Sequence, residues 1–554
     1  MAHGGRLLVN QLEAFGVRRI FSVPGESFLP VLDALHDSPI ENIVCRHEGG
    51  AGMMAEASGK MTGLPGIAFV TRGPGATNAA AALHVARQDS TPMILFVGQV
   101  PRGHRGREAF QELDYPAVFG SIAKWVAEAD DARRLPELME RAWRTAIAGR
   151  AGPVVLSLPE DMLSAPASAP LRPRPSVPVE GVSEAQIRAI GDALAEARRP
   201  LAVVGGGRWS DQAARDLERF AARFDLPVAA SFRRQHYMDN RSPQYVGDLG
   251  FSTAPKLAER LRQADLLLLL GTRFSEVPSG GYESVAPDAP GRCVIHVHPD
   301  PETPGTWLRT DLAITAQAPD MLAALADLAP RATPPWQPWR AAARAEYEAW
   351  QRPAETPGAL KLEQVIHWLS RNLPEDAILT NGAGNFAAFI HRHFRFRRYG
   401  TQLAPTSGSM GYGLPAAIAA ALEHPERLVV CVAGDGDLQM TMNELSTAVQ
   451  HGARPIVIVA NNGQYGTIRL HQERRFPGRV SGTALANPDF AAIAQAYGGH
   501  GETIARTEDF PAAFARARGA GSLALIELRL DPDAIAPGLS LSALRARAQA
   551  DSGG

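Results

Sequence analysis

Cysteine is scarce in this sequence. Its 554 residues hold three, Cys45, Cys293 and Cys431, far apart and with no CxxC pair. That argues against a disulfide framework and for free, structural thiols in a reducing cytoplasm. An excess of one charge is also missing: 56 lysines and arginines face 58 acidic residues, for a net charge of -2. No overall field attracts a polyanion or a membrane surface, so nucleic acid is not an expected partner. Long apolar runs are absent too. The most apolar stretches, 265–270 and 428–433, are strand-sized, far below the roughly 20 residues that span a bilayer. The opening MAHGGRLLVNQLEAFGV places Leu8, Leu12 and Phe15 at helical spacing between polar residues, unlike the continuous apolar core of an export signal. No short-period repeat or low-complexity tract interrupts the chain.

What is present is an ordinary globular composition, 45% hydrophobic with 52 glycines and 43 prolines, on a chain too long for one core. Two proline-rich stretches, 164–182 and 330–358, read as linkers. They leave an N-terminal domain at 1–165, a middle domain at 183–330 and a C-terminal domain at 358–535. Each alternates short β-rich runs with helical stretches, as in GIAFVT before TNAAAALHVAR or LVVCVAG before MNELSTAVQHG. That alternation predicts βαβ units and hence three doubly wound α/β domains in series, each on a parallel sheet. Residues 537–554 are polar and read as a loose tail.

The most specific pattern lies in the third domain. The strand LVVCVA runs into Gly434-Asp435-Gly436, and a second strand, IVIVA, leads to Asn461-Asn462-Gly463, with Asn462 lying 27 residues after Asp435. One βαβ unit of that length brings both strand ends to the carboxyl edge of a sheet, where ligands bind. The Asp435 carboxylate and the Asn462 amide oxygen are hard donors suited to magnesium, which completes its shell with phosphate and water. Gly436 leaves room for a diphosphate at a helix N-terminus. Either fragment alone is an ordinary turn; together they describe a magnesium diphosphate clamp.

This pairing resembles the fingerprint of thiamine-diphosphate enzymes. The resemblance implies that Asp435 and Asn462 ligate the metal by side chain and Gln464 by its carbonyl, with Gly434, Gly436, Asp437 and Tyr465 around the cofactor. Asp437 departs from the serine or alanine of many relatives, and a second carboxylate beside a diphosphate must turn away or cap the helix. In PTSGSMGYGLPAAIAAAL, the match makes Met410 the apolar wedge that bends the cofactor and sets the Gly408 backbone against its pyrimidine amino group. Gly384, Asn385 and Phe386 take the place of a diphosphate-binding turn, although GAGNF departs from the family's GQH-type pattern.

Upstream, FSVPGESFLPVLDAL, IVCRHEGGAGMMAEASGKMTG and FVTRGPGATNAAAAL follow one another in the order of the pyrimidine-binding domain of the acetolactate synthase group. Glu48 falls on the family's catalytic glutamate, a carboxylic acid that bonds to the pyrimidine ring and promotes proton loss from the cofactor. The resemblance implies a homodimer or dimer of dimers in which Glu48 acts on cofactor held by the partner copy. A regulatory subunit is not readable. The middle domain looks like the family's Rossmann-like module, which holds a non-redox FAD in acetolactate synthases. Here GGGR lacks the full dinucleotide spacing, and Arg233, Arg234 and Gln235 would crowd a flavin, so FAD is possible but not predicted.

Substrate-side residues, by the same match, are Gly25, Glu26, Phe110, Gln111, Ile468 and His471. His471 stands where acetolactate synthases have a tryptophan. The paired histidines of pyruvate decarboxylases are missing, and Thr71 replaces the histidine of benzoylformate decarboxylase. The expected reaction is decarboxylation of a 2-oxo acid such as pyruvate followed by carboligation. A benzoylformate-type decarboxylase or related lyase that releases an aldehyde is the same-fold alternative, and a non-catalytic homologue is the alternative from another class.

Overall fold

The computed structural model describes residues 3–176, 181–330 and 332–552. The others, which include parts of both expected linkers and the end of the expected tail, lie outside the described residues. Three six-stranded, wholly parallel sheets organise the chain. The first holds β1 (Arg19–Ser22), β2 (Glu41–Val44), β3 (Gly66–Val70), β4 (Met93–Gln99), β5 (Trp125–Glu128) and β6 (Pro153–Pro159), in the order β2-β1-β3-β4-β6-β5. The second holds β7 (Pro200–Val204), β8 (Val228–Ser231), β9 (Tyr245–Leu249), β10 (Leu266–Leu270), β11 (Cys293–His298) and β12 (Leu312–Thr315), in the order β12-β11-β10-β7-β8-β9. In the third, β13 (Ile378–Asn381), β14 (Gln402–Leu403), β15 (Val429–Gly434), β16 (Ile456–Asn461), β17 (His500–Ile504) and β18 (Ala524–Arg529) run β14-β13-β15-β16-β18-β17.

The strands are uninterrupted apolar runs because helices cover both faces of each sheet. All five leucines of β10 are buried. The covering helices are amphipathic: Asp211–Phe224, capped by the Ser210 side chain, buries Ala213, Leu217, Phe220, Ala221 and Phe224 along one stripe. Each sheet therefore has its own apolar core.

The chain divides into two compact units. One comprises Met1–Pro178, Pro405–Pro425 and Thr441–Arg454, and so carries the first sheet; the other comprises Val179–Ala404, Glu426–Met440 and Pro455–Gly554, and carries the second and third. In every sheet the chain first builds outward and then returns to the other side of its starting strand. The resulting switch points fall between β1 and β3, between β7 and β10, and between β13 and β15. At such points the carboxyl ends of neighbouring strands diverge and leave a crevice.

One expectation is corrected. The stretch read as a loose tail contains a helix, Leu541–Ser552. Leu541 and Leu544 pack with Leu470 and Ile535, and Arg545 donates to both oxygens of buried Glu473 at 2.9 and 2.6 Å. The guanidinium holds the Glu473 carboxyl down at about 2. Its leucines were visible, but their docking surface is supplied by a distant segment. Among the described residues, no helix is long and apolar enough to cross a membrane.

Candidate active site

In the first unit, candidate residues meet at the switch point between β1 and β3. Glu48 begins the helix Glu48–Thr62, whose N-cap His47 accepts the Gly49 amide on Nδ1 at 3.0 Å. Buried Glu444 accepts the Arg46 and His47 amides at 3.2 and 2.9 Å, where a carboxylate complements the helix N-terminus. It comes so close that a Cβ on Gly50 would lie 2.4 Å from its Oε1. Burial raises the Glu444 carboxyl, against the Thr447 hydroxyl and these amides, which lower it.

Glu48 is half-buried and accepts from Asn78 Nδ2 at 2.9 Å. Its Oε1 and the Thr71 methyl both lie 3.1 Å from the point a Cβ on Gly75 would occupy, and Thr71 also blocks any side chain at Gly25. Ser27 and Thr71 share a hydrogen bond of 2.9 Å, which fixes the turn carrying Glu26. Beside it, Arg72 is 6% exposed and donates to Glu26 at 3.1 Å and to Glu160 at 2.5 Å, while its Nε is buried without a hydrogen-bond partner. Gln111, at φ 64°, accepts the Gly73 amide through its carbonyl at 2.9 Å. Glu112 holds that loop by accepting the Gly106 and Ala109 amides, which lower its carboxyl. Phe110 projects into solvent, 73% exposed.

Glu48, Gly25, Glu26, Phe110 and Gln111 are thus brought to one sheet edge. Arg72, Asn78 and Glu444 were not anticipated. For Arg72 the signal was its place inside the glycine-rich turn 71–75, directly after a strand.

Gly408 and Met410 lie in the stretch 405–425, which packs into this same unit. Thr406 donates to Asp89 through its amide and hydroxyl at 3.0 and 2.6 Å. Tyr412 donates to buried Glu56 at 2.6 Å, and Lys60 bridges Glu56 and Asp89 at 3.1 and 2.9 Å. Gly408 takes φ 67°, which suits glycine, and Met410 is half-buried.

The second unit gathers the other candidates at the switch point between β13 and β15. The register Gly434↔Ala460 places Asp435 beside the end of β16. Asp435 is 3% exposed, and among the described residues its carboxylate accepts from neutral N–H groups: Gly436 N at 2.9 Å, Gly463 N at 2.8 Å and Asn487 Nδ2 at 2.7 Å. Burial raises its carboxyl despite those donors. Asn487 also donates to Asn461 Oδ1 at 2.8 Å and accepts from Gln439 at 3.0 Å. It was missed because it arrives from outside the βαβ unit that carries the motif.

Around this carboxylate the backbone is too crowded for side chains. A Cβ on Gly436 would lie 2.6 Å from the Tyr465 ring, and one on Gly384 or Gly434 would strike the Phe386 ring at 2.8 or 2.9 Å. Asn385 accepts from Thr467 at 2.9 Å, but its Nδ2 is buried with no hydrogen-bond partner. Asp437 turns away from this cradle: its Oδ1 accepts the Ala383 amide at 3.0 Å, and a Cβ on Gly382 would lie 2.1 Å from it. Gln464 points its side chain to the Pro532 carbonyl at 2.7 Å. Asn462 is half-buried, and Ile468 and His471 are exposed on the helix Gly466–Arg475. A buried, cation-free carboxylate beside an unpaired amide donor and a glycine-lined turn fits a metal-bound diphosphate.

The sequence matches three family models in order: thiamine pyrophosphate enzyme, N-terminal TPP binding domain, over 2–118; central domain, over 187–325; and C-terminal TPP binding domain, over 382–528. It is 32% identical over 516 residues to acetolactate synthase isozyme 2 large subunit of Escherichia coli, covering 92% of each chain. It is 31% identical to the acetolactate synthase large subunit of Haemophilus influenzae, covering 91% of this chain and 90% of that one. With the mitochondrial acetolactate synthase catalytic subunit of Saccharomyces cerevisiae it shares 30% identity over 95% of this chain and 80% of that one. The chain belongs to the acetolactate synthase-like family of thiamine-diphosphate enzymes. It is accordingly a thiamine-diphosphate-dependent enzyme, and the three sheets are the family's three domains.

The family's middle domain has a switch point of its own, where side chains of this chain bond to the glycine turn after β7. A Cβ on Gly206 would lie 2.2 Å from the Gly271 carbonyl. Trp209 donates to the Gly205 carbonyl at 2.9 Å, and Arg234 and Tyr237 donate to that of Gly206 at 3.1 and 2.7 Å. Trp209 and Tyr237 stack at 4.3 Å.

Proposed function

We propose that this enzyme, with thiamine diphosphate and magnesium, decarboxylates a 2-oxo acid such as pyruvate and joins the remaining fragment to a second carbonyl compound. The observation that carries this reading is the Asp435 cradle, a carboxylate 3% exposed and met, among the described residues, by N–H donors, with the Asn385 Nδ2 of the neighbouring turn lacking a hydrogen-bond partner there. Asp435, Asn462 and the Gln464 carbonyl would hold the metal. Gly384, Asn385, Phe386, Gly434, Gly436 and Tyr465 would line the diphosphate, with Asp437 fixing the turn from behind. Met410 and the Gly408 backbone would seat the rings. When bound, the cofactor supplies the nucleophilic carbon and the electron sink for loss of carbon dioxide. Glu48 holds the proton exchanged with the cofactor's pyrimidine nitrogen, oriented by Asn78.

Carboligation is favoured over aldehyde release because the stretch 109–112 lacks the paired histidines of pyruvate decarboxylases and Thr71 stands where benzoylformate decarboxylase has one. The test is product analysis from pyruvate: acetolactate supports the reading, and free acetaldehyde supports the decarboxylase alternative. Each site is completed by Glu48 of one copy and Asp435 of a second, so the working unit is a homodimer or a dimer of dimers. Relatives named large or catalytic subunits suggest a further, non-identical subunit. The side chains of Trp209, Arg234 and Tyr237, tied to the Gly205 and Gly206 carbonyls, argue against a flavin in the middle domain.

A further inference from the structure

The loop after β8 carries an unexplained strain. Arg233 sits at φ 59°, a left-handed conformation that glycine or asparagine adopts far more readily, and it is 4% exposed. Its guanidinium leaves the middle domain and donates from Nη2 to the carbonyl of Gly382 at 2.8 Å. Gly382 is the first residue after β13 and opens the turn that leads through Gly384 to Asn385. The far side of that turn is held by Asp437, which accepts the Ala383 amide and leaves no space for a side chain at Gly382. Two further points seat the same loop. Gln235 donates from Nε2 to the His391 carbonyl at 2.8 Å, and its amide donates to Gln402 at 3.0 Å. Asn240 exchanges hydrogen bonds with the Phe396 backbone at 2.8 and 2.9 Å.

From this geometry we infer that Arg233 is a cofactor-positioning residue: the middle domain, through one strained arginine, fixes the turn 382–386 that receives the diphosphate. The inference rests on the reading that this turn and Asp435 form the diphosphate site. The segment that departs from a flavin-binding pattern thereby acts on the third domain. A left-handed backbone is unfavourable at an arginine, and a glycine would relieve it. Its contact with Gly382 gives that strain a purpose, because a turn already fixed loses less freedom when ligand binds.

The experiment compares Arg233→Gly, Arg233→Asn and Arg233→Lys in the full-length protein, titrating thiamine diphosphate by calorimetry with magnesium present. Glycine and asparagine suit the backbone but cannot reach Gly382. Both are expected to bind the cofactor about tenfold more weakly, and lysine, which retains a donor of similar reach, to recover part of that loss. The half-saturating cofactor concentration should rise by a larger factor than kcat falls. Asp435→Ala separates this inference from the site assignment. If Asp435→Ala weakens binding while Arg233→Gly and Arg233→Asn stay within twofold of the parent, the positioning role is overturned and the site stands. If Asp435→Ala also leaves affinity unchanged, the site itself is misassigned and both readings fall. Should the glycine variant not fold, the asparagine variant decides.

Discussion

Glu48 and Gln differ by one proton-bearing oxygen, so Glu48→Gln tests proton transfer with little change of volume. Turnover is expected to fall about a hundred- to ten-thousandfold, with cofactor affinity from calorimetry nearly unchanged. Parent-like turnover would remove Glu48 from the chemistry. Asn487 offers a sharper probe of the metal side, since it donates to both Asp435 and Asn461. Asn487→Ala leaves the Asp435 carboxylate with backbone donors alone, and magnesium-dependent cofactor binding should weaken about three- to tenfold. At the proposed substrate edge, Glu26 is an exposed partner of buried Arg72, a kind of pair that contributes under about 1 kcal/mol to stability. Glu26→Gly should therefore change the profile across a panel of 2-oxo acids while barely shifting the melting temperature. His471→Trp should raise acetolactate formation relative to other products. If both variants retain the parent's profile, neither residue lines the pocket.

The helix Phe386–His393 follows the turn proposed for the diphosphate and accepts Gln235 of the middle domain at its His391 carbonyl, and the His391 ring gives stability a pH dependence. The His391 ring is buried, its Nε2 has no hydrogen-bond partner, and burial with the nearby Arg233 charge pushes its pKa down to about 3. His393 is pushed down to about 4 chiefly by burial. The folded protein therefore keeps both neutral, whereas the unfolded chain protonates them near pH 6.5. Stability is full above that value and is lost as pH falls, at most about 1.4 kcal/mol per pH unit for each ring. His391→Phe should flatten the fall in melting temperature between pH 6.5 and 5; an unaltered slope would mean that His391 does not titrate this way. Elements of this kind also show what was legible in advance. Strands such as β10 are readable because burial on both faces writes itself as an unbroken apolar run. Asp435 and Asn462 are readable because one βαβ unit contains both. Arg233 could be seen as an obstacle to flavin, but its contact lies 149 residues onward. The helix Leu541–Ser552 was misjudged for the same reason, since Glu473 and Leu470 define its seat. Periodicity reports a residue's own element, and these contacts belong to two.

For the whole molecule, the proposed sharing of sites between copies predicts complementation. Glu48→Gln and Asp435→Ala proteins, each inactive alone, should regain about a quarter of parental activity when unfolded together and refolded as a mixture, because half the dimers then hold one intact site. No recovery from a mixture shown to contain hybrid dimers would place both residues on one copy's site. The purified enzyme should also lack the absorbance bands of a flavin. The discontinuous first unit has a different consequence, one of biosynthesis. Glu56, Asp89 and the amides of Arg46 and His47 find Tyr412, Thr406 and Glu444 only after some 300 to 400 further residues have been made. An N-terminal fragment cut at the linker near residue 170 would expose polar groups that the complete chain buries. The Glu48 helix is therefore expected to complete its packing only after residues 405–454 have been made, so that the segment made first is ordered late.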